Sequence, residues 1–177
     1  LLTWAWGALS TAKERAPNFP RLIHATHPTV FIKLTQSVSN TSGNTILLSK
    51  SAIRGWDKQF FTQVFIHELG HVIYGPRYSP NISYKNSIIG AVTSEGYLTS
   101  YAESSTPRED AVCDRASSDE ATRTSEDFAE SVSYYVNINI SELSYSTSCP
   151  PVKNQTNPFF TGKYPNHLLF MKSLLGG

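Results

Sequence analysis

The strongest periodic signal in the chain lies at residues 57–74. Phe60, Phe61, Val64, Phe65, Leu69, Val72 and Ile73 recur at helical spacing and form a wide apolar face. Asp57 stands where an N-cap belongs, and Gly75-Pro76 supplies a sharp stop. Weaker helical patterning covers 3–15 and closes at Pro17 and Pro20. Residues 125–137 predict a second helix, carrying Phe128, Ala129 and Val132 on one face. Thr124-Ser125-Glu126-Asp127 at its start resembles a capping box, with Asp in place of the usual Glu. A last helix fits 165–175. Residues 29–36 and 45–49 are apolar and β-branched and read as strands, with a turn at 40–44 between them. That pattern predicts an antiparallel hairpin. Residues 77–90 and the polar stretch 104–123 read as loops. Strands followed by packed helices argue for an α+β fold with a small antiparallel or mixed sheet. A chain of 177 residues fits a single domain, 1–177, with its own core.

Composition narrows the class. Charged residues are 16% of the chain, against about a quarter in most globular domains. Ser, Thr and Asn fill the difference, which suits a secreted protein with a hydroxyl-rich surface. Net charge is +1 and no basic run occurs, so nucleic acid and membrane are not expected as partners. No apolar stretch approaches the roughly 20 residues needed to cross a bilayer. The start, Leu1-Leu2-Thr3-Trp4-Ala5-Trp6, is too short and too uncharged for a signal sequence and reads as a mature or trimmed end. Cys113 and Cys149 form no CxxC pair. In a secreted chain their even count predicts one disulfide, closing a loop of about 36 residues and worth roughly 3–4 kcal/mol. Sequons at Asn40, Asn81, Asn139 and Asn154 lean the same way, towards a secretory route.

The chemistry lies inside the main helix. His67-Glu68-Leu69-Gly70-His71 places two imidazoles at i and i+4 on one face. Both can reach one Zn²⁺ at about 2.0–2.1 Å. Zinc lowers the pKa of water towards about 7, and Glu68 is placed to take the proton as water attacks a carbonyl. Imidazoles without a ligand would be costly in so apolar a helix. A catalytic site of this kind needs a third protein ligand. Tyr74 and Arg77 stand where the HExxHxxGxxH pattern wants Gly and His or Asp, and no Gly-Thr-x-Asp follows. A glutamate from a downstream helix remains. Glu126 and Glu130 share one helical face, and Glu95, Glu103 and Glu109 are also open on the residues alone. His24, His27 and His167 read as ordinary surface or core histidines.

Three segments together carry a resemblance: His67-Glu68-Leu69-Gly70-His71, then Leu98-Thr99-Ser100-Tyr101-Ala102, then Glu126-Asp127-Phe128-Ala129-Glu130. In this order they resemble the gluzincin metallopeptidases, in particular the anthrax lethal factor catalytic domain and the Pro-Pro endopeptidases of Clostridia. The resemblance covers about residues 29–137. It implies a zincin-like fold, Glu126 as third zinc ligand and Glu130 as the partner that orients a ligating histidine. It also implies that Tyr101 donates its hydroxyl to the substrate oxyanion, a role that suits a phenol. One departure is visible: Tyr101 and Glu126 are 25 residues apart, where the family keeps them about two helical turns apart. The extra segment, about 103–123, contains Cys113 and reads as an insertion pinned to the body by Cys149.

The expectation is therefore a secreted, monomeric zinc endopeptidase acting on protein or peptide substrates. Extended substrate would pair with the strand at 29–36 or 45–49. The rival from another class is a non-catalytic, zinc-stabilised toxin-like or effector binding domain. Glu68 argues against it, because a structural site has no use for that carboxylate.

Overall fold

The computed structural model describes residues 1–36, 39–76, 80–103, 119–137, 142–145 and 153–176, without the side chains at 51–52, 100–101, 142–145 and 153–155. Cys113, Cys149, Glu109 and Asn139 lie outside these residues. In chain order the elements are α1 (Leu2–Arg15), α2 (Phe19–Thr26), β1 (Phe31–Thr35), β2 (Asn40–Ser42), β3 (Thr45–Ser49), α3 (Lys50–Ile53), α4 (Lys58–Tyr74), α5 (Ile82–Glu95), α6 (Ser100–Glu103), α7 (Glu120–Val136), β4 (Glu142–Tyr145), β5 (Lys153–Thr156) and α8 (Pro165–Leu175). The fold is mixed α+β. Among the described residues no helix is long and apolar enough to cross a membrane.

Helix α4 is the axis of the molecule. Asp57 caps it by accepting from the Phe60 amide at 2.7 Å. Gly75 ends it at φ +90°, a conformation open to glycine and strained for other residues. Phe61, Phe65, Ile66, Leu69, Val72, Ile73 and Tyr74 are all buried, so α4 is covered nearly all round. α1 covers one flank through Ala5, Ala8 and Ala12, and Trp4 meets Phe61 edge-on at 5.6 Å. α7 covers another. The two helices meet at Gly70, where an added Cβ would sit 2.8 Å from the Ala129 Cα.

The sheet has the order β1-β3-β2. β1 and β3 are parallel, with Phe31 opposite Thr45 and Thr35 opposite Ser49, and do not form the expected hairpin. The reason is β2. Asn40-Thr41-Ser42 reads as part of a turn but forms a strand, joined to β3 through Gly43 at φ +58° and Asn44. The hairpin is therefore β2–β3, and β1 is left to add in parallel. Ile46 and Leu48 of β3 are fully buried against the helices. β4 and β5 form a separate antiparallel pair.

Two helical expectations change. Within the expected loop at 77–90, residues 82–90 are helical: α5 begins at Ile82, with Asn81 accepting from the Ser83 and Tyr84 amides, and buries Ile88 and Ala91. α7 starts at Glu120 rather than 125, because Asp119 is its cap and accepts from the Ala121 amide. Glu126 thus lies about two turns into the helix, not beside its N-terminus.

α8 docks through an ionic clamp. His167 is fully buried, with Nδ1 2.8 Å from Glu95 Oε2 and Nε2 2.9 Å from Asp127 Oδ2. Burial alone would lower its pKa; the bonds to Asp127 and Glu95 outweigh that and raise it. Glu95 also accepts from the Asn166 and His167 amides at the start of α8. Asp127 accepts from the Leu98 amide at 2.6 Å. One imidazolium thereby ties α5, α7 and α8 together. His24, by contrast, is exposed.

Two predictions follow from this packing. Gly70→Ala should destabilise the protein by roughly 1–3 kcal/mol through overpacking, despite its gain in helix propensity. Gly90→Ala is the matched control. Gly90 is exposed in α5 with no atom within 4 Å of an added Cβ, so the same methyl should stabilise by about 0.5–1 kcal/mol. Urea unfolding of both variants checks the pair. His167→Gln should cost about 3–5 kcal/mol, because it leaves buried carboxylates without their cation. The cost should be full below about pH 6.5, the unfolded value for histidine. It should shrink as pH rises through the raised value in the fold, since above that His167 is neutral in wild type too. Unfolding midpoints of both proteins across pH test this; a constant difference contradicts it.

Candidate metal centre

Positions 67 and 71 lie one turn apart on α4, and both imidazoles face α7. Their Nε2 atoms converge to 3.1 Å. Glu126 Oε2 from α7 lies 3.2 Å from His67 Nε2 and 3.3 Å from His71 Nε2. His67, His71 and Glu126 are a largely buried group that could hold a metal ion.

Each ring is held from behind. His67 Nδ1 is 2.8 Å from Glu130 Oε1, and His71 Nδ1 is 3.0 Å from Ser125 Oγ. An Nδ1–H donated to each of these oxygens leaves an Nε2 lone pair on each ring pointing into the group. Helix periodicity sets this up: Glu126 and Glu130 are one turn apart on α7, as His67 and His71 are on α4. Ser133 Oγ continues the row by donating to the Gln63 carbonyl at 2.8 Å.

The electrostatics favour a cation. Burial alone would lower the His67 pKa, but the bonds to Glu126 and Glu130 reverse this and raise it to about 10. Burial would raise Glu126, yet His71 and His67 beside it hold it well below the usual carboxylate range. The two carboxylates that raise His67 also make the group attractive to a cation.

Glu68 is also buried, and its Oε2 accepts from Thr41 Oγ1 at 2.6 Å. Thr41 stands on the rim of a cleft of about 210 Å³. Asn40, Thr41, Ser42 and Gly43 line it together with His71, Gly75, Pro76, Ser125 and Glu126. The group is therefore reached from outside along β2.

The structure brings His67, His71, Glu126 and Glu130 together. Of the other candidate glutamates, Glu95 binds His167, Glu103 is exposed, and Glu109 lies outside the described residues. The backbone of Tyr101 lies in α6, which packs on α7, and its side chain lies outside the described residues. Ser125 and Thr41 are additions that sequence reasoning missed. Ser125 carries a weak signal, since it directly precedes Glu126. Thr41 carries none, because only the tertiary fold lays β2 across α4.

Glu126→Ala should lose most bound divalent metal after dialysis against a weak chelator, while Glu103→Ala should retain it. Elemental analysis of both proteins decides the matter, and full retention in Glu126→Ala would remove Glu126 from the ligand set.

No protein-family model, curated protein or solved structure matches this chain.

Proposed function

We propose that this chain is a secreted, monomeric zinc endopeptidase with a zincin-like catalytic domain, acting on protein or peptide substrates. The observation that carries this reading is the donor triangle with edges of 3.1, 3.2 and 3.3 Å at the head of a cleft. Donors around a tetrahedral ion with bonds of about 2.0–2.1 Å stand about 3.3 Å apart, which is the spacing zinc needs. Two imidazoles and a carboxylate are also a usual catalytic zinc set, which keeps one position for water or substrate. Zinc, when bound, supplies Lewis-acid polarisation of a carbonyl and a lowered pKa for water.

The chain's own residues do the rest. Glu130 and Ser125 fix the tautomers of the two ligating rings. Glu68 takes the proton from the attacking water and passes it to the leaving amine. Tyr101, on the strength of the gluzincin resemblance, donates to the oxyanion. Extended substrate lies along β2, the sheet edge that lines the cleft. β3 cannot take that role, because it is the central strand with neighbours on both sides.

The rival reading, a non-catalytic zinc-stabilised toxin-like or effector domain, fits less well. A structural zinc is closed off by four protein ligands. Here the triangle opens on a cleft, and a carboxylate follows the first ligand.

Glu68→Gln should abolish chelator-sensitive cleavage of a mixed peptide library and keep the metal. The amide is nearly isosteric and cannot accept the proton, so the loss should be on the order of 10²–10⁴ in rate. Rates and zinc content measured on the same samples test this. A zinc-loaded variant as fast as wild type refutes the mechanism, and a wild type that cleaves nothing favours the binding domain.

A further inference from the structure

β2 is three residues long and wholly polar, Asn40-Thr41-Ser42. Thr41 stands opposite Ile46 in the antiparallel register. Directly opposed residues send their side chains to the same face of a sheet, and Ile46 is fully buried. Thr41 therefore presents a hydroxyl on the core-facing side, where alternation would ordinarily place an apolar group. That hydroxyl meets Glu68. Oγ1 donates to Oε2 at 2.6 Å and lies 3.1 Å from the carbonyl oxygen of the same residue. The first distance is in the range of a charge-assisted O–H···O⁻ bond. Among the described residues no other side chain bonds the Glu68 carboxylate.

We infer that Thr41 is a positioning residue for Glu68: its hydroxyl fixes Oε2 and so turns Oε1 towards the cleft that Thr41 itself lines. The inference rests on the reading of Glu68 as proton acceptor. A glutamate's last torsion is broad, so an unrestrained carboxylate spends much of its time turned away from any one direction. A proton acceptor works only when its oxygen is within hydrogen-bond reach of the proton it takes. One strong bond to the far oxygen, made from the sheet, restricts that torsion without blocking the near oxygen. The two contacts to one residue also pin β2 against α4, so cleft wall and base move together.

The test compares Thr41→Val and Thr41→Ser with wild type for kcat, KM, zinc content and unfolding midpoint. Val keeps the β-branched shape and removes the donor. Ser keeps the donor and removes the methyl. Both retain the Asn40 sequon, whose middle position is unconstrained apart from proline. Thr41→Val should lower kcat roughly ten- to hundredfold, as misplacement of a reacting group does, with KM and zinc content unchanged. Thr41→Ser should recover most of that loss. A Thr41→Val enzyme with wild-type kcat overturns the inference, and so does a Thr41→Ser enzyme as slow as Thr41→Val, since packing would then explain the loss. If wild type shows no chelator-sensitive cleavage, the endopeptidase reading itself fails and takes the inference with it. If wild type cleaves and Thr41→Val matches it, the inference alone fails.

Discussion

Everything at the candidate centre depends on how closely α4 and α7 approach at Gly70 and Ala129. A side chain of any size at position 70 would hold the helices apart, and the two rows of polar groups would no longer meet. Those rows are His67 and His71 on one helix and Glu126 and Glu130 on the other. Bonds of 2.8–3.3 Å tolerate little displacement before they stop being bonds. The glycine sits inside the His-Glu-Leu-Gly-His segment itself, so the residue that permits the approach lies between the residues that use it. Phe61, Phe65 and Val72 supply burial around this crossing but do not set its distance.

α7 resolves a conflict that its sequence presents. Thr124, Ser125, Glu126, Asp127, Glu130, Ser131 and Ser133 are all buried, an unusual load of polar groups for one helix. Each large one is directed to a specific neighbour. Glu126 and Glu130 face the α4 histidines, Asp127 faces His167, and Ser133 faces the Gln63 carbonyl. Such groups are costly to bury alone and acceptable when partnered. The helix works as a connector between two ionic clusters, one open to the cleft and one sealed under α8. The sealed cluster holds the helix in place beside the open one.

This division explains what the sequence disclosed. α4 was readable because Asp57, a continuous apolar face and Gly75-Pro76 all act locally. β3 and α8 were readable for similar reasons, and both match the expected 45–49 and 165–175. The motif residues and the E-x-x-x-E pair were visible as spacing alone. β2 was not, because three polar residues gain strand character only from pairing with β3. α5 was missed because its scattered Ser, Asn and Tyr resemble a loop until Ile88 and Ala91 find a surface to cover. His167 read as an ordinary histidine because its carboxylate partners are 72 and 40 residues away. Local determinants survive in a single sequence; contacts made by the tertiary fold do not.

The charge count at the crossing bears on the kind of ion the group could hold. With both imidazoles neutral and Nδ1–H bonds running to Glu130 and Ser125, the formal charges of the two carboxylates that touch the rings, Glu126 and Glu130, sum to −2. A divalent cation brings that sum to zero, whereas a monovalent ion leaves the pair undercompensated in a low-dielectric interior. Without any ion the nearest substitute is a proton, and the raised His67 value of about 10 is that substitution. Metal and proton therefore compete for one potential well built by the same two carboxylates. Glu68 stands outside this balance. Its carboxylate accepts from the neutral Thr41 hydroxyl and bonds to neither ring. On the proposed reading it is this separate carboxylate, held from the sheet, that accepts the proton.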